Sequence, residues 1–297
     1  MKNILVSVII PSYNHENFIS KSILSVLNQK TKSIDIELIV IDDGSTDNSI
    51  HEIDVLHKEY DFIFIKNKKN LGLIRTLEIA ENKFKGDYLC YLASDDFFLP
   101  GKIEDQINII KIKGFDILYS GADVYDQNDV FVHSQNLSGF EVSLNKSKAD
   151  AFEYIAIDDT CGPLLQSAMI KSEIIKQVSA FRHKFKSDDW VVMLYLLKNH
   201  NVGFVRKSLL GYRVHENNTH KNYWKMFSYR MDVIASYTYY IDKRLASKAL
   251  SNLFFSHAFT LFRNKEYLFS VKFMLVSLVF GVPLSKIIRY VKRKLRL

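Results

Sequence analysis

The sequence predicts an α/β fold: a mainly parallel central sheet covered by helices, followed by a helical C-terminal extension. Three observations predict it. Apolar runs that read as strands alternate with helical patterns five times over about 120 residues, the signature of strand–helix–strand units. The polar residues that end three of those strands fall on one edge of such a sheet. From Asn222 onward the pattern is helical throughout.

The elements follow in order. Ile4 to Ile10 is apolar except for Ser7, as in a strand buried on both faces, and Pro11-Ser-Tyr-Asn14 ends it. Ile19, Ile23, Val26 and Leu27 recur at helical spacing. Ile36 to Ile41 is a second strand and runs into Asp42-Asp-Gly-Ser-Thr-Asp47, where Gly44 permits a tight turn and Ser45 or Thr46 is placed to cap the next helix. Phe62 to Ile65 is a third strand, and Asn70-Leu-Gly72 turns the chain into another helix. Tyr88 to Leu92 is a fourth and ends abruptly in Asp95 and Asp96. Two readings of that pair stand side by side: a solvated turn that caps the next helix, or a ligand set for a hard divalent cation beside a phosphate-bearing substrate. Phe115 to Tyr119 is a fifth strand.

After residue 123 the alternation stops. Asp123 to Val132 reads as a hairpin or excursion, residues 133–150 as a mobile polar loop, and Leu164 to Ile170 as a strand. Val191 to Leu197 fits a buried helix behind Ser187-Asp-Asp-Trp190, with Trp190 and Tyr212 read as core. Val202 to Val205 and Leu209 to Val214 read as two strands ending at His215. Leu268 to Val282 is strongly apolar but interrupted by Lys272, and is shorter than the roughly 20 residues that cross a bilayer. Beyond Pro283, Ile287, Ile288, Val291 and Leu295 line one face of a basic amphipathic helix.

Composition narrows the function. The chain has 297 residues and a formal charge of +7. Residues 267–297 hold seven Lys or Arg and no acid, which accounts for the whole excess and points to an anionic partner for the C-terminal tail. An RNA-reading motif or zinc spacing is absent, so nucleic acid is not the expected partner. Cys90 and Cys161 form no metal or disulfide framework, and the N-terminus goes straight into a strand, so a cytoplasmic protein is expected. The absence of G-x-G-x-x-G and of G-x-x-x-x-G-K-[ST] argues against a dinucleotide oxidoreductase and a P-loop NTPase.

The motifs resemble those of the family 2 glycosyltransferases, inverting enzymes of the GT-A (nucleotide-diphospho-sugar transferase) fold. The resemblance covers about residues 4–216 and is carried by Val-Ile-Ile-Pro-Ser-Tyr-Asn14, Ile-Val-Ile-Asp-Asp-Gly-Ser-Thr-Asp47, Asn70-Leu-Gly72, Gly-Asp-Tyr-Leu-Cys-Tyr-Leu-Ala-Ser-Asp-Asp96, Ser187-Asp-Asp-Trp190 and Tyr212-Arg-Val-His215. Many members have a further Asp where this chain has Ala93. The resemblance implies a catalytic domain over 1–220, with nucleotide-sugar binding in 1–122 and the acceptor part in 123–220, and a membrane-associating extension over 221–297. It implies that Pro11, Tyr13, Asn14, Asp42, Asp43 and Asp95 contact the nucleotide. Asp96, with His215 in a weaker assignment, would hold Mg²⁺ or Mn²⁺. Asp189, or alternatively Asp188, would be the base.

The expected reaction moves a sugar from a nucleotide-sugar donor, a UDP-sugar, to a saccharide acceptor, with inversion. The expected acceptor is lipid-linked, as in bacterial O-antigen, capsule or other surface glycan synthesis. The tail would rest on an anionic membrane surface, making the enzyme peripheral on the inner face of the cell membrane. The alternative is a catalytically degenerate transferase scaffold that binds membranes.

Overall fold

A computed structural model describes residues 3–157, 162–182, 184, 189–216, 218, 222–238 and 241–281. Its first half is β1 (Ile4–Ser12), α1 (Ile19–Leu27), β2 (Ile34–Asp42), α2 (Ser49–Glu59), β3 (Ile63–Lys66), α3 (Leu73–Glu81) and β4 (Tyr88–Tyr91). The four strands pair in parallel in the order β3–β2–β1–β4. Their side chains alternate between two cores, as a period of two demands when both faces are covered. Ile9, Ile39, Ile41, Leu89 and Tyr91 enter one, Val8, Ile10, Leu38, Val40, Cys90 and Leu92 the other. Because the strands are parallel, their carboxyl ends share one edge: Ser12 lies beside Asp42, and Ile9 beside Tyr91.

The chain continues through β5 (Phe97–Phe98), α4 (Lys102–Lys113), β6 (Ile117–Asp126), β7 (Phe131–Ser134), α5 (Ser138–Lys146), α6 (Lys148–Ile157), β8 (Met169–Lys171), α7 (Ile175–Arg182), α8 (Asp189–Asn199) and β9 (Val202–Val214). The strand order is β3–β2–β1–β4–β8–β6–β9–β5, with β7 on β6. The expected parallel pairing holds for β1–β4 and for β6 with β9, while β8 runs antiparallel to both β4 and β6, and β5 runs antiparallel to β9. The complete sheet is therefore mixed.

Several expectations for this second half are corrected. Residues 133–150 are not a mobile loop: they supply the end of β7, all of α5 and the start of α6. Phe140 anchors α5, fully buried and edge-on to Phe204 at 5.7 Å. The strand expected over 164–170 is a 3₁₀ turn, Leu165–Ser167, followed by three-residue β8. The two strands expected at 202–205 and 209–214 are one strand. Its partner register jumps from Ser120↔Val205 to Gly121↔Ser208, so Arg206 and Lys207 bulge out. Gly121 permits the bulge, since a Cβ there would stand 2.6 Å from the Arg206 carbonyl oxygen. The hairpin expected after Asp123 is present as β6–β7, and the buried helix over 191–197 as α8.

The extension is helical, as expected: α9 (Tyr223–Val233), a π turn over Ile234–Thr238, α10 (Lys243–Arg263) and α11 (Tyr267–Val279). Asp242 caps α10, its Oδ1 accepting from Arg244 N at 2.8 Å and Leu245 N at 3.1 Å. Between the helices lies an aromatic cluster, with Phe227 and His257 at 4.5 Å and Phe254 and Phe273 at 5.1 Å. The extension is joined to the body. Trp190, which donates its indole N–H to Ile155 O at 2.9 Å, packs with Phe227, Met231 and Leu250 against Ile234, Ala246, Ala249 and Leu253. The basic amphipathic segment expected beyond Pro283 lies outside the described residues.

Candidate active site

Two loops at the shared strand edge are stitched together by short polar side chains. Asn14 adopts a left-handed conformation, φ 55°. Its N–H donates to Ser45 Oγ at 2.9 Å, and its Oδ1 accepts from Thr46 N at 2.8 Å. His15 N donates to Ser49 Oγ at 2.9 Å, and Glu16 N to Asp47 Oδ2 at 3.1 Å. Asp42 is buried at the end of β2 and accepts from Ser45 N at 2.8 Å and Ser45 Oγ at 2.5 Å. Pro11 lies beside Ile41 in the β1–β2 register, and Tyr13 stands exposed just beyond.

Asp43 faces the other way. One oxygen accepts from Asn67 Nδ2 and Leu71 N, the other from Gly72 N, each at 2.9 Å. It thereby fixes the Asn70-Leu71-Gly72 turn. Gly44 beside it has φ 75°, and a Cβ there would meet the Lys69 backbone at 2.7 Å, so only glycine fits this crossing of two loops.

At the end of β4 the two acids separate. Asp96 turns inward: its Oδ1 accepts from Arg213 N at 2.9 Å. Asp95 turns towards two imidazoles. His215 Nε2 lies 3.0 Å from Asp95 Oδ2 and His15 Nε2 lies 4.0 Å from the same atom. One ligand-capable atom from each of His15, Asp95 and His215 falls within 4.8 Å of the others. Ser94 Oγ, 2.7 Å from His15 Nδ1, orients that ring so that Nε2 faces the carboxylate. His215 is fixed through its backbone N–H, which donates to Asn218 Oδ1 at 2.5 Å.

Charge in the cluster follows from this packing. Burial opposes ionisation of Asp95, but the hydrogen bond from His215 and the two imidazoles beside it outweigh burial, and its carboxyl stays below the ordinary value. Burial pushes the His15 imidazole down despite Asp95. Beneath the cluster, the buried guanidinium of Arg213 sits over the rings of Phe97 and Phe18, 4.8 and 5.2 Å from their centroids. It donates to the Asp95 carbonyl and, at 2.6 Å, to Asp129 Oδ1 at the β6–β7 turn. Asp129 also pairs with Lys21 of α1 at 3.0 Å.

The structure thus brings Pro11, Tyr13, Asn14, Asp42, Asp95, Asp96 and His215 to one rim. Asp43 joins the same loop with its carboxylate turned to the 67–72 segment. Asp188 lies outside the described residues; Asp189 opens α8, with its side chain outside them. Sequence reasoning missed His15. It is a single histidine in a polar turn, and its only signal was adjacency to the strand-end motif at Tyr13 and Asn14.

Comparison with known proteins places this arrangement in a class. The family model "Glycosyl transferase family 2" matches residues 7–174, more than half of the chain, and the protein belongs to that family. It is 25% identical over 243 residues to WfgD of Escherichia coli, named a UDP-Glc:alpha-D-GlcNAc-diphosphoundecaprenol beta-1,3-glucosyltransferase, covering 80% of this chain and 88% of that one. An uncharacterized glycosyltransferase of Rickettsia typhi, RT0329, is 32% identical over 225 residues, 72% of this chain. That match spans 65% of the Rickettsia protein, and another spans 42% of a Haemophilus influenzae relative, so the chain covers less than two thirds of these proteins.

Solved structures share the fold. S. aureus TarS in complex with UDP-GlcNAc superposes with a TM-score of 0.62 at 19% identity, over 86% of this chain and 73% of that chain. A mannosyltransferase of Pyrobaculum calidifontis, in complex with GDP-Man and Mn²⁺, gives 0.63 at 12% identity, over 99% and 81%. The fold is therefore that of the GT-A glycosyltransferases.

Proposed function

We propose that the protein transfers a sugar from a UDP-sugar to a saccharide acceptor carried on a lipid diphosphate, with inversion at the anomeric carbon, in bacterial surface glycan synthesis. The observation that carries this reading is the convergence of three strand ends with the His15–Asp95–His215 cluster at one rim. The E. coli relative's UDP-Glc donor and diphosphoundecaprenol-linked acceptor support the donor and acceptor classes. The catalytically degenerate alternative is not favoured, since the chain's relatives are named as glycosyltransferases.

Tyr13 packs on the base of the donor, and Asp42 hydrogen-bonds it; Pro11 and Asn14 shape the same turn. Asp43 acts indirectly, by holding the turn at 70–72. The donor set of two imidazoles and a carboxylate fits a divalent cation, and suits Mn²⁺ better than Mg²⁺, which prefers oxygen ligands. His15, Asp95 and His215 would hold it, so that the ligand moves one residue from the expected Asp96, whose carboxylate braces β9 instead. Such a cation supplies Lewis-acid stabilisation of charge on the departing diphosphate. Asp189, at the start of α8, takes the proton from the acceptor hydroxyl, with Asp188 as the alternative base.

No described helix is long and apolar enough to cross a membrane, and on this reading the enzyme works peripherally at the inner face of the cell membrane. The test is a donor screen with Mn²⁺ or Mg²⁺ and a diphosphoundecaprenol-linked N-acetylglucosamine acceptor, reading product mass and anomeric configuration. A β-linked product from an α-linked UDP-sugar is expected. No transfer and no donor hydrolysis with any nucleotide sugar would overturn the reading.

A further inference from the structure

Helix α11 carries apolar side chains on both sides: Phe273 enters the aromatic cluster with Phe227, Phe254 and His257, and a second set faces outward. Its two buried side chains are serines, Ser270 and Ser277, two turns apart. They lie against α10: Ser270 Oγ donates to Ala258 O, and Ser251 Oγ of α10 donates to Ser277 O, both at 2.8 Å. The outward side carries Leu268, Val271, Leu275, Leu278 and Val279, all exposed, reaching 83% at Val279. Steps of three and four residues put these five in one stripe about a third of the way round the helix. A helix on the surface of a water-soluble body keeps its outward face polar.

The surroundings say what covers the stripe. Lys272 stands at its edge, Arg263 and Lys265 precede it, the carboxylate of Glu266 just before the helix accepts from Tyr223 Oη, and residues 267–297 contain no acid. A second copy related by a two-fold axis would bring these cations together with no carboxylate from 267–297 to receive them. An anionic bilayer meets both features: acyl chains accept the apolar stripe and headgroup phosphates accept the cations. The helix has 13 residues, about 20 Å, so it lies along an interface and does not cross it.

We propose that α11 is an interfacial anchor whose Leu268–Val279 stripe inserts below the headgroups of an anionic membrane, separately from the basic segment that follows it. The anchor is mechanically continuous with the acceptor side. The extension packs on Trp190, next to Asp189, and Arg230 of α9 lies 5.9 Å from the Trp190 ring. The proposal deepens the membrane part of the functional reading and rests on it for the identity of the acceptor, but not for vesicle binding itself.

The experiment is co-sedimentation of the full chain with vesicles of phosphatidylcholine alone and with 30% phosphatidylglycerol. It compares the wild type with Leu268→Gln/Leu275→Gln, alongside thermal melts, sedimentation velocity and Mn²⁺-dependent UDP-glucose hydrolysis. Wild-type binding to the anionic vesicles, reduced about tenfold or more in the double variant with the melt and hydrolysis unchanged, is expected. Equal binding of the two proteins overturns the proposal, as does a lipid-free wild-type dimer that the variant converts to monomer. A wild type that binds through the stripe but does not hydrolyse UDP-glucose counts against UDP-glucose as the donor and leaves the anchor standing.

Discussion

The strand edge around Asp95 and the outer face of α11 solve opposite problems. At the edge, apolar side chains fill both faces of the sheet, and the polar groups of the site gather where the strands stop. In α11 Ser270, Ser277 and Phe273 turn inward while Leu268, Val271, Leu275, Leu278 and Val279 are exposed. The difference teaches where each surface finds its solvent. On the proposed reading, the first holds a small charged ligand in water and the second leaves water. Between them, Trp190 and the α9–α10 pair join the two regions into one body.

Variants that strike one region and spare the other separate the two. The largest effect is expected beneath the edge. Arg182 of α7 is fully buried and pairs with Glu81 Oε1 at 2.5 Å, which also accepts from Tyr91 Oη at 2.6 Å. Glu81→Gln takes one carboxylate away from a buried guanidinium, and should cost about 3–5 kcal/mol in urea unfolding. Vesicle binding of the protein that remains folded should not change.

Next comes the imidazole that sequence reasoning missed. His15→Gln should weaken Mn²⁺ binding about 10-fold or more, measured by Mn²⁺ electron paramagnetic resonance in the presence of UDP. Ser94→Ala, which only frees the His15 ring, should show the same direction with a smaller change.

A separate effect is a pH dependence remote from both regions. Lys102 is buried, donating to Gln106 Oε1 at 2.5 Å and Ser167 O at 3.0 Å, and burial pushes its ammonium down to about 8. Between about 8 and its ordinary 10.5, the unfolded chain binds more protons than the folded one, so stability rises with pH there. Relative to Lys102→Met, the wild type should gain on the order of 2 kcal/mol between pH 7.5 and 9.5 in urea melts. A flat difference would place the ammonium in a better-solvated site.

The two regions were not equally legible in the sequence. Strands β1–β4 are mainly apolar runs with sharp polar stops, as strands covered on both faces are, and the internal Ser7 and Glu37 pair with each other. Strand β9 was split in the reading because Arg206 and Lys207 look like a loop, and only its register against β6 shows the bulge. Helix α5 was missed because Phe140 and Leu144 are nearly its whole apolar content. At the site, the acids were legible through their position at strand ends. The division of labour between Asp95 and Asp96 was not, since neighbouring residues of a turn point in different directions for reasons that lie in β9. In the extension, the apolar run from Leu268 was visible, but which side of it faces outward depends on where α10 packs.

The central claim is that Asp95 and two imidazoles from distant parts of the chain hold the cation that steadies a nucleoside diphosphate. Its most direct test is calorimetric titration of UDP into the full chain with and without Mn²⁺, for wild type and Asp95→Asn. The account predicts Mn²⁺-dependent UDP binding in the wild type, and about 100-fold weaker binding that ignores Mn²⁺ in the folded variant. Equal, Mn²⁺-responsive binding by both proteins would contradict it.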